Sequence, residues 1–164
     1  MNIVDPILME FTHEAGVTRR LLERVPDEQL GWKPHEKSMS LGRLASHIAE
    51  IPSFVGAILG QDELSLDGSY TPFNGGSTAE ILETFDKNVA MATEMMQGQS
   101  NEHLMQPWRL KKGDHVVFEM PRVSVIRGLV LNHSIHHRGQ LSVYVRMHNV
   151  PVPSIYGPSA DEPL

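Results

Sequence analysis

Three histidines lie within residues 131–140, whose sequence is LNHSIHHRGQ. His133 and His137 are four residues apart, and on a helix two such side chains point the same way, one turn apart. This spacing allows two imidazoles to bind one metal ion. The alternative is a pair of core histidines that hydrogen-bond to helix carbonyls or to buried water. The spacing leaves both interpretations open.

The histidine segment lies in the fourth and longest predicted helix, which covers residues 122–148. A projection at about 100° per residue from Ile126 defines a buried face within about 60° of one line. The apolar residues on that face are Leu129, Val130, Leu141 and Tyr144. The helix is therefore expected to pack against other helices along this face.

Polar side chains occupy the centre of this apolar face. His133, His137 and Gln140 project at about −20°, +20° and −40° from its central line. His136 projects near −80°, at the edge of the face, and is set aside as a ligand. A polar group that leaves water without a partner costs about 1–3 kcal/mol, so the buried histidines require a partner.

A third metal ligand has to come from another helix, and His47 in the second predicted helix is the best candidate. It projects about 65° from the centre of that helix's apolar stripe, where a side chain can lean into a pocket between helices. Taken alone, such a histidine is more often a boundary residue than a ligand. Glu50 is a candidate fourth ligand or an acceptor for a ring N–H, although its projection favours a solvated carboxylate.

Four amphipathic helices position these residues, and they are predicted at 5–25, 41–60, 77–98 and 122–148. Pro52 lies within the second helix and predicts a kink, which can re-aim His47 one turn earlier. Residues 61–76 are predicted to form a surface loop. Residues 107–121 are predicted to form a small hairpin or an irregular excursion, and the proline-rich tail after residue 150 to run extended over the surface.

The composition predicts a single domain over residues 1–164, and the four predicted helices make its fold class all-α. Of these residues 40% are hydrophobic, which is enough to bury a core. The net charge of −6 disfavours binding to nucleic acid or to a membrane surface. The chain has no cysteine, so a thiol would have to come from the substrate. No secretory signal or run of about 18 apolar residues occurs, and a cytoplasmic location is expected.

Several stretches resemble the DinB/YfiT-like superfamily. They are LGRLASHIAE in the second helix, NHSIHHRGQLSVYVR in the fourth, PVPSIYGPSADE near the C-terminus, and Trp32, Lys33 and Pro34. The resemblance covers most of the chain. It implies a four-helix bundle in which His47, His133 and His137 bind one divalent metal ion, and it also implies a homodimer.

Characterised branches of the superfamily are similar to metal-dependent transferases that activate low-molecular-weight thiols such as bacillithiol or mycothiol. Other relatives isomerise maleylpyruvate or hydrolyse amides. The first expectation is therefore a transferase or hydrolase in which a Zn, Ni, Fe or Co ion generates a thiolate or hydroxide. Three neutral imidazoles leave such an ion with its full charge and at least one open position, as in catalytic sites.

The roles of Arg138 and Gln140 stay open, and a second function is also possible from the sequence. Arg138 and Gln140 are candidate contacts to a ligand ring or to substrate, and the alternatives are an exposed arginine and a structural glutamine. The second functional expectation is a metal-binding bundle without catalysis, in which the ion joins two helices and adds stability or a regulated partner surface.

Overall fold

The computed structural model describes residues 2–68 and 70–163. The α-helices are α1 (Val4–Leu22), α2 (Leu41–Glu50), α3 (Phe54–Gly60), α4 (Thr78–Met96), α5 (Asn101–Met105), α6 (Arg122–Val125) and α7 (His133–Met147). The strands are β1 (Glu63–Ser65), β2 (Pro107–Lys112) and β3 (His115–Pro121). Short 3-10 turns occupy Asp27–Gln29 and Ile51–Ser53, and a π-helical segment, Ile126–Asn132, joins α6 to α7.

The helical part of the fold follows the expected bundle. Helices α4 and α7 each pack against both α1 and α2. Their buried faces enclose apolar side chains from all four helices, among them Leu21, Leu44, Phe85 and Leu141. No α-helix in the described part of the chain is long and apolar enough to cross a membrane.

A small three-stranded sheet is the departure from a purely all-α fold. Strands β2 and β3 form the expected hairpin, paired antiparallel. Strand β1 pairs parallel with β2, with Glu63 opposite Arg109, although residues 61–76 were expected to be loop throughout. This pairing joins segments more than forty residues apart, and a three-residue strand carries no alternating pattern that would predict it.

The second predicted helix is divided at the expected place. Ser40 caps it by accepting a hydrogen bond from the backbone N–H of Arg43. Pro52 lies in the 3-10 turn between α2 and α3, where its missing N–H and its ring interrupt the α-helical hydrogen bonds. The kink predicted from Pro52 is therefore confirmed, and it follows the helix that carries His47.

The fourth predicted helix has a wider buried surface than expected. Leu131 and Arg138 are each 1% exposed, whereas a uniform projection from Ile126 places both on the outer side, more than about 100° from the buried line. Two causes act together. The π-helical segment has wider turns than an α-helix and rotates the residues that follow it. Helix α7 also packs against α1 on one side and α2 on another.

Arg138 is an anchor between helices, so its interpretation as an exposed arginine is wrong. Its Nη1 donates to the Glu14 carbonyl and to Thr18 Oγ1, both at 3.2 Å. Its Nη2 lies 2.6 Å from Glu14 Oε2 and 2.5 Å from the Tyr156 hydroxyl. Tyr156 in turn donates to Glu14 Oε2 at 2.8 Å. The tail was predicted to run extended over the surface. These hydrogen bonds of Tyr156 also fix it to α1 and α7.

Replacing Arg138 should be costly, because it leaves the buried Glu14 carboxylate without its cation. We expect Arg138→Ala to lower the free energy of unfolding by about 3–5 kcal/mol. The control is Arg127→Ala, which removes a surface pair with Glu10 and should cost less than about 1 kcal/mol. Urea denaturation of both variants measures the difference, and equal losses would contradict the anchoring role.

Candidate metal centre

Three histidine side chains converge between α2 and α7. The Nε2 atom of His133 lies 3.2 Å from Nε2 of His47 and 2.9 Å from Nε2 of His137. One ligand nitrogen from each ring lies within 4.8 Å of those of the other two. The structure thus brings together the three histidines identified in the sequence, and it places His133 and His137 one turn apart in the first half of α7.

Hydrogen bonds fix the tautomers of the two histidines on α7. The Nδ1 atom of His137 lies 2.7 Å from Oε1 of Gln140, and Nδ1 of His133 lies 3.3 Å from the carbonyl oxygen of Leu129. Both oxygens only accept hydrogen bonds, so each Nδ1 carries the ring proton. Consequently the Nε2 atoms of both neutral rings present lone pairs toward the centre of the cluster.

The facing lone pairs favour a positive charge between them. At 2.9 Å, the Nε2 atoms of His133 and His137 have no proton to share when both rings are neutral. His47 could donate one Nε2 proton to His133, but the lone pair of His137 would still face that of His133. Two imidazole nitrogens bound about 2.1 Å from one ion lie roughly 3–3.5 Å apart, close to the observed separations. The donor set therefore fits a divalent metal ion.

Burial keeps the three rings in the form that binds metals. Desolvation is the main cause that lowers the pKa of His133 and of His137. Desolvation, followed by the charges that His137 and His133 would carry, lowers the pKa of His47 to about 4. All three imidazoles are therefore neutral near pH 7, and a metal ion does not have to displace protons from them.

Glu50 supports the cluster from the side of α2. It is 6% exposed, so the prediction of a solvated carboxylate is wrong. Its Oε2 accepts two hydrogen bonds from Arg43 at 3.0 Å, and its Oε1 accepts from the Tyr70 hydroxyl at 2.5 Å and from the Phe73 N–H. Oε2 is also 3.6 Å from Nδ1 of His47. These donors occupy both oxygens, which favours a place beside His47 over that of a fourth ligand.

The remaining candidates divide between the cluster and other parts of the molecule. Gln140 contacts the cluster through His137, as a structural glutamine would, although it is exposed and does not lie at the centre of the buried face. His136 is exposed and contacts the cluster only through its ring, 4.9 Å from that of His137. Arg138 faces α1 and contacts no histidine of the cluster.

Two residues of the site, Arg43 and Tyr70, were not predicted from the sequence. Arg43 lies seven residues before Glu50 on the same face of α2, and this spacing could have revealed the pair. Tyr70 lies in the segment predicted as loop, and only the fold brings it to Glu50. Partial burial and the hydrogen bond to Glu50 raise the pKa of Tyr70 to about 12, so it stays protonated and donates.

The sequence matches one protein family and is similar to two proteins of Bacillus subtilis. A family model described as the DinB family matches residues 1–163. The uncharacterized protein YrdA of Bacillus subtilis (strain 168) is 26% identical over 160 residues, which is 97% of this chain and 91% of that protein. The uncharacterized protein YjoA of the same strain is 28% identical over 144 residues, or 85% and 87% of the two chains.

Two solved structures have a similar fold. A DinB-like protein from Bacillus cereus ATCC 10987 superposes with a TM-score of 0.71 at 25% identity, covering 91% of this chain and 95% of that one. The DinB-like protein YjoA from Bacillus subtilis gives a TM-score of 0.70 at 20% identity, covering 90% and 96%.

The lowered pKa of His47 predicts acid sensitivity of the metal-free protein. Between the unperturbed value of 6.5 and the folded value of about 4, the unfolded chain binds a proton that the folded chain resists. Stability is therefore present above this window and falls as the pH is lowered through it, by at most ~1.4 kcal/mol per pH unit for each histidine. Melting temperatures measured across this pH range in the presence of a chelator check the slope.

Two variants separate this effect from general acid denaturation. His47→Gln keeps a polar group that does not titrate, and it should flatten the dependence of melting temperature on pH. His13→Gln changes an exposed histidine of α1 and should leave the dependence unchanged. An equally steep slope in His47→Gln and in the unmodified protein would refute the assignment.

Proposed function

The chain belongs to the DinB family, and we propose that His47, His133 and His137 bind one divalent metal ion in an enzyme active site. The observation that supports the proposal most strongly is the 2.9 Å approach of two Nε2 atoms whose Nδ1 protons are already used. Neutral core histidines would avoid such an approach, because each needs a donor that the other cannot supply.

We infer that the reaction is a thiol transfer or a hydrolysis. A divalent ion at this site would lower the pKa of a coordinated thiol or water and so supply a nucleophile near neutral pH. The chain itself has no cysteine, so a thiol would come from a low-molecular-weight substrate. The metal would be Zn, Ni, Fe or Co, since imidazole ligands accept each of them.

The protein residues around the cluster hold the ligands in place. Gln140 and the carbonyl of Leu129 orient two rings through their Nδ1 protons, which keeps both Nε2 lone pairs directed inward. Glu50 provides a negative charge beside His47, and Arg43 neutralises part of it. The three ligands are uncharged, so they would leave the charge of the ion available to a substrate.

The alternative function is a metal-binding bundle without catalysis. The cluster joins α2 to α7, so an ion bound there would hold the two helices together and stabilise the folded chain. Turnover separates the two functions, whereas metal affinity does not. Assembly as a homodimer stays a prediction under either function.

Metal binding by His137 is the first prediction of the proposal. The reconstituted protein should hold about one divalent ion per chain. His137→Ala should weaken zinc or nickel affinity by more than about 100-fold, since it removes a direct ligand. The control is His136→Ala, which changes the exposed neighbour and should leave affinity unchanged. Competition with a chromophoric chelator measures the affinities, and equal affinities in all three proteins would refute the site.

Gln140 should matter only through the ring that it orients. Gln140→Leu removes the acceptor for Nδ1 of His137 and should weaken metal affinity by about 10–100-fold. The same substitution at Gln97, at the exposed end of α4, provides the matched control. If Gln140→Leu binds metal as tightly as the Gln97 variant, the hydrogen bond does not position His137.

Turnover decides between enzyme and scaffold. We expect metal-dependent activity on a panel that combines electrophiles or amides with different low-molecular-weight thiols, lost in His137→Ala and kept in His136→Ala. The opposite result would be a chelator that lowers the melting temperature while no metal-loaded form turns over any member of the panel. That result would support the non-catalytic bundle.

A further inference from the structure

A cavity of about 560 Å³ lies between α3, the small sheet and the π-helical segment. Small-molecule sites typically enclose about 300–1,000 Å³. Its wall includes Leu64, Leu66, Trp108 and Leu110 from the sheet side, Phe54, Ala57 and Ile58 from α3, and Leu129 from the π-helical segment. Much of the wall thus comes from residues 61–76 and 107–121, which surround the core helices.

The polar side chains of the cavity wall are already bonded to protein. Ser65 donates its hydroxyl to Asp67 at 2.9 Å, and Tyr70 donates to Glu50 at 2.5 Å. The indole N–H of Trp108 donates to a backbone carbonyl of α3 at 3.2 Å. Among the described lining residues none is acidic or basic. A charged or strongly polar ligand would lose its hydration here and gain no compensating partner.

The cavity borders the residues that support the histidine cluster. Tyr70 lines the cavity and bonds to Glu50, whose other oxygen lies 3.6 Å from Nδ1 of His47. Leu129 also lines the cavity, and its carbonyl oxygen accepts from His133. Two of the three histidines are therefore linked to the cavity wall through one or two residues.

We propose that this cavity binds the uncharged, apolar part of the substrate that reacts at the histidine cluster. The proposal rests on the proposed function for the location of the reaction, and on the apolar wall for the chemistry of the ligand. An aryl or alkyl group buries apolar surface without leaving a polar group unpaired. A polar thiol has no partner in this cavity and would occupy other surface near the cluster.

A pair of fluorescent probes tests the ligand class. N-phenylnaphthylamine is neutral and apolar, and its relative anilinonaphthalene sulfonate differs by one anionic group. We expect the neutral probe to bind once per chain, and the sulfonate to bind at least about tenfold more weakly. Fluorescence titration measures both. Equal affinity for the two probes, or no binding of the neutral one, would overturn the proposal.

Filling the cavity locates the bound probe. Ala57→Phe places a ring in the cavity and should weaken binding of the neutral probe by at least about tenfold. Ala90→Phe makes the same change on the exposed face of α4 and should leave binding unchanged. Similar affinities in the two variants would place the probe elsewhere and overturn the proposal.

A charge at the cavity mouth gives a second test in case Ala57→Phe folds poorly. Leu66 lines the cavity but is 53% exposed, so Leu66→Asp should fold normally and weaken binding of the neutral probe. Val117→Asp, at a 46% exposed position of β3 outside the cavity wall, is the matched control. Weakening by both variants alike would show a nonspecific effect and count against the cavity.

The same probe distinguishes failure of this proposal from failure of the proposed function. No histidine lines the cavity, so the chelated protein and His137→Ala should bind the neutral probe as the unmodified protein does. In cobalt-loaded protein the ion should quench the bound probe relative to zinc-loaded protein. Probe binding without any metal binding would refute the metal centre alone. Metal binding without quenching would refute the placement of the apolar group beside the metal.

Discussion

The strictest constraint on this fold is a pair of unprotonated nitrogens. They are Nε2 of His133 and Nε2 of His137, which lie 2.9 Å apart. Their lone pairs repel unless a cation lies between them, and a change of tautomer would cost either ring its present hydrogen bond at Nδ1. Gln140 and the Leu129 carbonyl hold the protons at the other ring nitrogens. Partial burial lowers the pKa of both rings, so protonation is resisted as well. The fold therefore has to hold the two rings together against the repulsion between their lone pairs.

The packing of α7 supplies that support from two sides. On the side that faces α2, the histidines of α7 contact His47. Glu50 and Arg43 form an ion pair on the same helix as His47. Toward α1, the buried guanidinium of Arg138 bonds to Glu14 and Thr18. Because both faces are fixed, α7 cannot rotate to move its two imidazoles away from His47. The Arg138 anchor contacts no histidine of the cluster, yet it restricts the helix that carries two of them.

The segments around the helices complete the site in a different way. The second half of the kinked helix, the hairpin and strand β1 enclose an apolar cavity, and Tyr70 connects its wall to Glu50. The histidine cluster is polar, while the wall of the neighbouring cavity offers apolar surface. This separation suits a site in which one part binds an ion and the other selects the shape of an uncharged group.

The amino-acid sequence by itself determined the local features. The spacing of His133 and His137 and the kink at Pro52 follow from interactions within a few residues, and these appear as predicted. Tertiary structure decided which helix faces meet. A projection places Glu50 and Arg138 toward solvent because it treats a helix as having one buried side. Helix α2, however, packs against both α4 and α7, and α7 packs against both α1 and α2 and follows a π-helical segment. Strand β1 and Tyr70 depend on contacts between distant segments, which no local pattern encodes.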